Sequence, residues 1–246
     1  MNIDLNSDLG EAFGPWSMGP DAALLQLVTS ANVACGGHAG DPETMYRTLV
    51  LARERGVTVG AHPGYADPMG FGRRVIPMTP AEITRMVAAQ IGALQGIARL
   101  AGTRVAYVKA HGALANLAAE SPEVARALVA ALPPDLPLLA ISGTAQQLAA
   151  QEARHPVFAE IFADRAYLPD GRLVPRSRPD AMLHGPAAVD RILGFLRSGV
   201  MPTTGAPLAL KAQSICIHGD SAEALSLAQD LRARLLAEGV TLAPFA

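Results

Sequence analysis

The chain is poor in aromatics, in cysteine and in net charge, and each shortage narrows what it can be. Phe, Trp and Tyr make up 4% of the residues, so a core has to come from Ala, Leu, Val and Ile, which the 50% apolar content supplies. The two cysteines, Cys35 and Cys216, both fall in apolar, strand-like runs. That fits free thiols in a reducing compartment rather than a disulfide framework. A net charge of −2 and a pI near 6.3 carry no polyanion signature, so no nucleic-acid partner is expected, although a local basic cluster can still hold a small anion. No apolar run approaches the ~18 residues of a membrane span. Met1-Asn-Ile-Asp-Leu-Asn6 has neither the basic nor the apolar region of a signal peptide. The expectation is a cytoplasmic enzyme without a membrane partner. Also missing are a P-loop, a G-x-G-x-x-G after a strand, a G-x-S-x-G elbow, an H-E-x-x-H pair and a C-x-x-C pair.

What is present is a repeated plan. Asn32-Val-Ala-Cys-Gly-Gly-His-Ala-Gly-Asp-Pro42 reads as a strand end, a glycine turn holding His38, and a helix start with Asp41 as N-cap and Pro42 at the first helical position. The plan recurs at Val57–His62, at Val105–Lys109 before His111-Gly112, and at Ser214–Ile217 before His218-Gly219. Four of the six histidines therefore fall where an apolar strand meets a glycine turn. Residues 3–8 alternate apolar and polar as a first strand. Thr79-Pro80-Ala81-Glu82 predicts a capping box, Ser121-Pro122-Glu123 another helix start, and Asp220-Ser-Ala-Glu223 a second capping box. A fifth strand is expected at 136–141, a sixth at 161–167, a seventh within 208–217 and a short last one at 240–245. The Pro- and Arg-rich stretch 168–183 is expected to be a lid, a dimer contact or a partner surface. About seven alternations of strand and helix predict an α/β fold with parallel strands in one domain, residues 1–246, with an open doubly wound sheet as the alternative. Right-handed crossovers would bring the histidine turns to one rim.

The chemistry-bearing residues follow. Imidazole suits proton transfer or metal binding, so His38, His62, His111 and His218 are candidates, while His155 and His184 read as ordinary surface or capping residues. Asp8 and Glu11, at the mouth of the first strand, can orient a histidine base or join histidines on a divalent metal; the metal reading depends on convergence in space. Lys109 is a lone lysine in a strand fit for burial, which is costly unless it is paired or used, and it suits an oxyanion or a phosphate. Lys211 has the same ambiguity from a weaker position. Arg73 and Arg74, in a glycine-rich loop, can clamp a carboxylate or pair with surface acids. Cys35 reads as a packed thiol.

Seven ordered motifs carry a resemblance: Asp4-Leu-Asn-Ser-Asp-Leu-Gly-Glu11, Ser30–Pro42, Gly60-Ala-His-Pro-Gly64, Gly70-Phe-Gly-Arg-Arg74, Val108-Lys-Ala-His-Gly-Ala-Leu114, Phe162-Ala-Asp-Arg-Ala-Tyr167 and Ile215-Cys-Ile-His-Gly-Asp220. Together they resemble the LamB/YcsF family over nearly the whole chain. Ala110 and Ala115 depart from it, standing where that family often has proline and tyrosine. The resemblance implies a seven-stranded β/α barrel like those of glycoside hydrolases and polysaccharide deacetylases. It also implies ATP-dependent opening of 5-oxo-L-proline to L-glutamate with partner subunits B and C, and Mg²⁺ accompanying ATP. In that reading His38 or His62 is the base, oriented by Asp8. Lys109, His111 and the turn amides of Gly36, Gly37 and Gly112 face developing negative charge, and Arg73 or Arg74 holds the substrate carboxylate. Asn6, Glu11 and His218 complete the candidate set. Two other readings stay open: a metal-dependent deacetylase or amidohydrolase acting alone, and a non-catalytic subunit that binds a lactam or sugar.

Overall fold

The computed structural model describes residues 1–219 and 223–246. Parallel strands β1 (Asn2–Leu9), β2 (Ser30–Ala34), β3 (Thr58–His62), β4 (Val105–Val108), β5 (Leu138–Ile141) and β6 (Val157–Phe162) pair in sequence order. A short antiparallel pair, β7 (Val200–Met201) with β8 (Leu208–Ala209), stands apart, and then β9 (Ser214–Ile217) pairs with both β6 and β1. That last pairing closes a seven-stranded parallel barrel. β10 (Thr241–Leu242) adds to the outer end of β1. Helices α1 (Asp21–Leu24), α2 (Pro42–Arg55), α3 (Pro80–Leu100), α4 (Gly112–Glu120), α5 (Pro122–Ala130), α6 (Ala145–Glu152), α7 (Gly185–Ser198) and α8 (Ala224–Ala237), with a 3-10 turn at Pro68–Gly70, complete the described elements. Among the described residues no helix is long and apolar enough to cross a membrane.

The helix starts follow from their caps. Asp41 accepts from the Glu43 and Thr44 amides at the head of α2, and Thr79 and Glu82 form the reciprocal capping box of α3. The capping box expected at Asp220–Glu223 lies outside the described residues. The sixth strand begins and ends earlier than expected, at 157–162, because residues 163–167 turn across the barrel mouth; there the Tyr167 hydroxyl accepts from the Phe162 amide. The strand expected within 208–217 is β9, at Ser214–Ile217; Leu208–Ala209 forms the separate β8, and the chain between them runs exposed around Lys211. Helix α4 is an element separate from α5 that the sequence pattern does not mark; Ser121-Pro122 divides them, with the Ser121 hydroxyl accepting from the Val124 amide.

Barrel strands alternate inward and outward. On β1 the even residues Asp4, Asn6 and Asp8 meet side chains from other strands, while Ile3, Leu5 and Leu9 join the apolar core beneath the helices. The inside of this barrel is therefore polar, where most barrels are filled by branched aliphatics. Asp4 accepts from Thr29, Ser30 and Ser214; the next layer holds Asn6, Asn32, Tyr107 and Glu160. Tyr107 fits there because Gly60, its register partner on β3, has no side chain. A Cβ on Gly60 would stand 2.2 Å from the Tyr107 ring. Gly60→Ala is expected to cost about 1–3 kcal/mol of stability by overpacking, read from the denaturation midpoint, and Gly60→Ala/Tyr107→Leu is expected to recover part of it.

Candidate functional site

Five of the candidate residues reach the mouth by a short route from a strand end. Asp8 is next to last on β1, His62 ends β3, Lys109 follows β4, His111 is the residue before α4, and His218 follows β9. His38 sits in a turn closed by the Gly36 amide donating to the Ala39 carbonyl at 2.9 Å. Asp8, His62, Lys109, His111 and His218 line one cavity of about 350 Å³, together with Glu160, Phe162, Gly112, Arg73, Arg165 and Arg176. Leu173, Pro175, Arg176 and Ser177 of the 168–183 arm form part of its wall.

Lys109 is the hub of the polar layer. Its ammonium lies 3.0 Å from Asp8 Oδ1, 3.1 Å from Glu160 Oε2, 3.2 Å from Asn6 Oδ1 and 3.0 Å from Cys216 Sγ. Burial alone would lower the lysine pKa, but Asp8, Cys216 and Glu160 hold it well above the ordinary value. Burial likewise works to raise Asp8, yet the neighbouring His62 and Lys109 hold it well below the usual carboxylate range. Glu160 shows the opposite balance. Burial pushes it up to about 7 despite Lys109, because Asp8 already occupies the lysine. Two carboxylates sharing one ammonium are thus driven apart in acidity, an arrangement that yields one fixed charge and one group able to exchange a proton near neutrality.

The histidines form a second cluster beside this one. His62 Nδ1 faces the Lys109 carbonyl at 2.8 Å and His111 Nε2 faces the Phe71 carbonyl at 2.9 Å. Each of those nitrogens carries a proton and donates it, since a carbonyl oxygen can only accept. The remaining nitrogens, His62 Nε2 and His111 Nδ1, face each other at 3.0 Å. His38 donates from Nε2 to Glu11 Oε1 at 3.0 Å and its ring stacks on that of His111, centroids 3.5 Å apart and 3° from parallel. Burial and the neighbouring imidazoles lower the pKa of both His38 and His111 well below the ordinary value. His218 stands apart from these three, bound through Nδ1 to Asp164 at 2.8 Å and stacked on Phe162.

Several expectations need correction. Arg74 does not reach the cavity: its guanidinium is 64% exposed and pairs with Asp67, which also accepts from the Gly70 amide, so it pins its own loop. Of the turn glycines only Gly112 borders the cavity; the Gly36 amide is used inside its turn, and Gly37 packs where a side chain would strike Gln90. Asn6, Glu11 and His38 are buried behind the lining residues rather than among them. Lys211 is exposed, whereas Cys35 is the packed thiol expected, pushed up to about 12 by burial, which leaves it unreactive.

Two charged lining residues, Glu160 and Arg165, escape the sequence reading. Glu160 interrupts Val157-Phe-Ala-Glu-Ile-Phe162, and a lone acid in an apolar strand is the same signal that marks Lys109. Arg165 is buried; its Nη2 donates to the Val174 carbonyl at 2.6 Å, and its Nε is buried without a hydrogen-bond partner. Burial and Arg176 bring its pKa down to about 10, so it remains a cation at neutral pH. Only the folded path of the 163–183 segment reveals its place beside Arg73 and Arg176.

The whole of this site lies within a match to the LamB/YcsF family over residues 3–246. The chain belongs to the LamB/YcsF family. It is 51% identical over 251 residues to a Rhodopseudomonas palustris (strain BisA53) protein named as the A subunit of 5-oxoprolinase, covering 100% of this chain and 98% of that one. It is 50% identical over 249 residues to the Nocardia farcinica protein of the same name, covering 100% of each. The crystal structure of a lactam utilization protein from Thermus thermophilus superposes with a TM-score of 0.93 at 39% identity over 100% of both chains. The catalytic domain of a peptidoglycan N-acetylglucosamine deacetylase from Eubacterium rectale superposes with a TM-score of 0.54 at 12% identity over 100% of this chain and 88% of that one, which shows a shared barrel fold alone.

Proposed function

We propose that this LamB/YcsF chain is the lactam-opening subunit of an ATP-dependent 5-oxoprolinase. The observation that carries the reading is identity of about half, end to end, with proteins named for that role. The overall change is 5-oxo-L-proline, ATP and two waters giving L-glutamate, ADP and phosphate. A lactam is a poor electrophile because its nitrogen donates into the carbonyl. Phosphorylation of the amide oxygen by ATP, accompanied by Mg²⁺, makes the carbon electrophilic; one water adds to it, the ring C–N bond breaks as the nitrogen takes up a proton and leaves as the amine, and a second water cleaves the resulting glutamyl phosphate to L-glutamate and phosphate.

The cavity supports this chemistry in detail. Lys109 offers fixed positive charge to a developing oxyanion. Glu160, pushed up to about 7, is matched to proton transfer near neutrality and takes the role of general base in place of the histidines expected from sequence. Asp8 holds Lys109 and His62 in position. Arg165, with Arg73 and Arg176 on the same wall, binds the substrate carboxylate. The chain has no P-loop, so we place the adenine moiety on partner subunits B and C, with the phosphate end directed toward Gly112 and Arg73.

Arg165→Met is expected to raise the KM for 5-oxo-L-proline about tenfold or more with a smaller change in kcat, as loss of a charge-assisted contact made equally in ground and transition states requires. The reading as a whole is tested by glutamate release from 5-oxo-L-proline with ATP and Mg²⁺, using this chain alone and then with candidate B and C subunits. Glutamate in the complete mixture and not from the single chain supports it. Glutamate from the single chain removes the partner requirement, and none from folded proteins in the complete mixture removes the reading.

A further inference from the structure

We propose that His62, His111 and Glu11 form a binding site for one divalent transition-metal ion, of the zinc or cobalt kind, with His38 as the residue that positions Glu11. The Lys109 and Phe71 carbonyls fix the protonated nitrogens of His62 and His111 on the far sides of their rings. The other two ring nitrogens, His62 Nε2 and His111 Nδ1, then point at each other across 3.0 Å. Carboxylate oxygens surround the same point: Glu11 Oε1 lies 3.5 Å from His111 Nδ1, and Asp8 Oδ2 lies 3.3 Å from His62 Nε2. Two imidazole nitrogens and two carboxylate oxygens thus converge on one buried point, a donor set that fits a divalent cation.

The separations suit ligands of one small ion. Metal–nitrogen bonds near 2.0–2.1 Å put neighbouring ligand atoms roughly 3–3.5 Å apart at tetrahedral angles. Ligand atoms of Glu11, His38, His62 and His111 all lie within 4.8 Å of one another. The rings of His62 and His111 are 88° apart, so their in-plane lone pairs can meet at a point. His38 cannot join them in the same way. It lies flat on His111, and an ion in the plane of one ring is far out of the plane of the other. Its Nε2–H instead donates to Glu11 and holds the carboxylate in place. The backbone carbonyls play the same part for the two ligand histidines, which is the outer-shell arrangement metal-binding histidines usually have. Imidazole nitrogens with one carboxylate favour zinc, cobalt or nickel over magnesium or calcium, which prefer oxygen alone. An ion there supplies Lewis-acid character at the cavity wall formed by His62 and His111.

This inference stands apart from the lactam reading, because it is read by binding without substrate. The full chain is stripped with a chelator and titrated with Zn²⁺ by calorimetry and with Co²⁺ by visible absorption. The expected result is one equivalent per chain and a Co²⁺ spectrum of a low-coordinate nitrogen–oxygen site. His62→Gln and Glu11→Gln are each expected to weaken Zn²⁺ binding by at least about tenfold. His184→Ala, at an exposed histidine paired with Glu223, leaves binding unchanged. Should the variants fail to fold, nitrogen-15 spectra of the wild-type imidazoles decide: added Zn²⁺ must shift His62 Nε2 and His111 Nδ1. Failure of folded, stripped protein to bind either ion overturns the proposal. So does a weakening of less than tenfold in folded variants, or a metal-induced shift confined to other histidines.

Discussion

Lys109→Met is expected to abolish glutamate formation and to destabilise the chain by about 3–5 kcal/mol, the usual effect of removing one partner from a buried ion pair. The loss is large because one ammonium serves two carboxylates. Without it Asp8, which burial would otherwise raise, loses a cation that holds it ionised, and Glu160 loses the positive charge that most lowers its pKa. Neither can recover solvent, since both are buried. Protonation is the escape open to them, so the destabilisation is expected to be smaller at pH 5 than at pH 8. Lys109→Arg, which keeps the charge but adds bulk, should recover part of the stability. Urea denaturation of the three proteins at both pH values checks this; equal destabilisation of Lys109→Met at pH 5 and pH 8 would show that the lysine acts through packing rather than charge.

The second large effect concerns Glu160 and pH. Its folded pKa is raised from 4.5 to about 7. Below pH 4.5 folded and unfolded chains both hold the proton. Between 4.5 and 7 the folded chain keeps a proton that the unfolded chain has released, so this group's contribution to stability falls as pH rises through that window. A shift of this size corresponds to about 3 kcal/mol across it. Other groups act in the same range. Lowered pKa values at His38 and His111 give stability that rises with pH up to the unfolded histidine value, while Asp4, raised by burial, adds a fall at lower pH. The diagnostic is therefore the difference between wild type and Glu160→Gln. Relative to wild type, the variant is expected to gain about 3 kcal/mol between pH 4.5 and pH 8, measured from denaturation midpoints. A constant difference across that range would place the Glu160 pKa at its ordinary value.

Much of the barrel was legible because its signals are local. Glycine turns after apolar strands, Asp41-Pro42 and Thr79-Pro80-Ala81-Glu82 set strand and helix ends within a few residues, and alternation in β1 marked Asp4, Asn6 and Asp8 as a set apart from Ile3 and Leu5. Lys109 stood out because a charge in an apolar strand requires a partner. Glu160 carried the same signal but lay in a strand expected four residues too late, so its face went unread. Arg165 and the division of labour between Arg73 and Arg74 depend on how loops fold over the mouth, which no short-range pattern encodes. The histidine roles were legible only in part. Periodicity brings His38, His62 and His111 to one rim, but ring orientation is set by the Lys109 and Phe71 carbonyls, and those contacts exist only in the closed barrel.

On the proposed reading the lactam is opened in the cavity lined by Asp8, Lys109 and Glu160. The most direct test of this is glutamate release by the reconstituted assembly with Asp8→Asn in this chain and the partner subunits unchanged. Asparagine keeps the shape and removes the charge that positions Lys109 and His62. Glutamate formation is expected to fall by at least about a hundredfold while the variant still co-elutes with its partners, the scale of losing a positioned catalytic charge. Wild-type glutamate release from an intact Asp8→Asn assembly would contradict the account and move the chemistry to one of the partners.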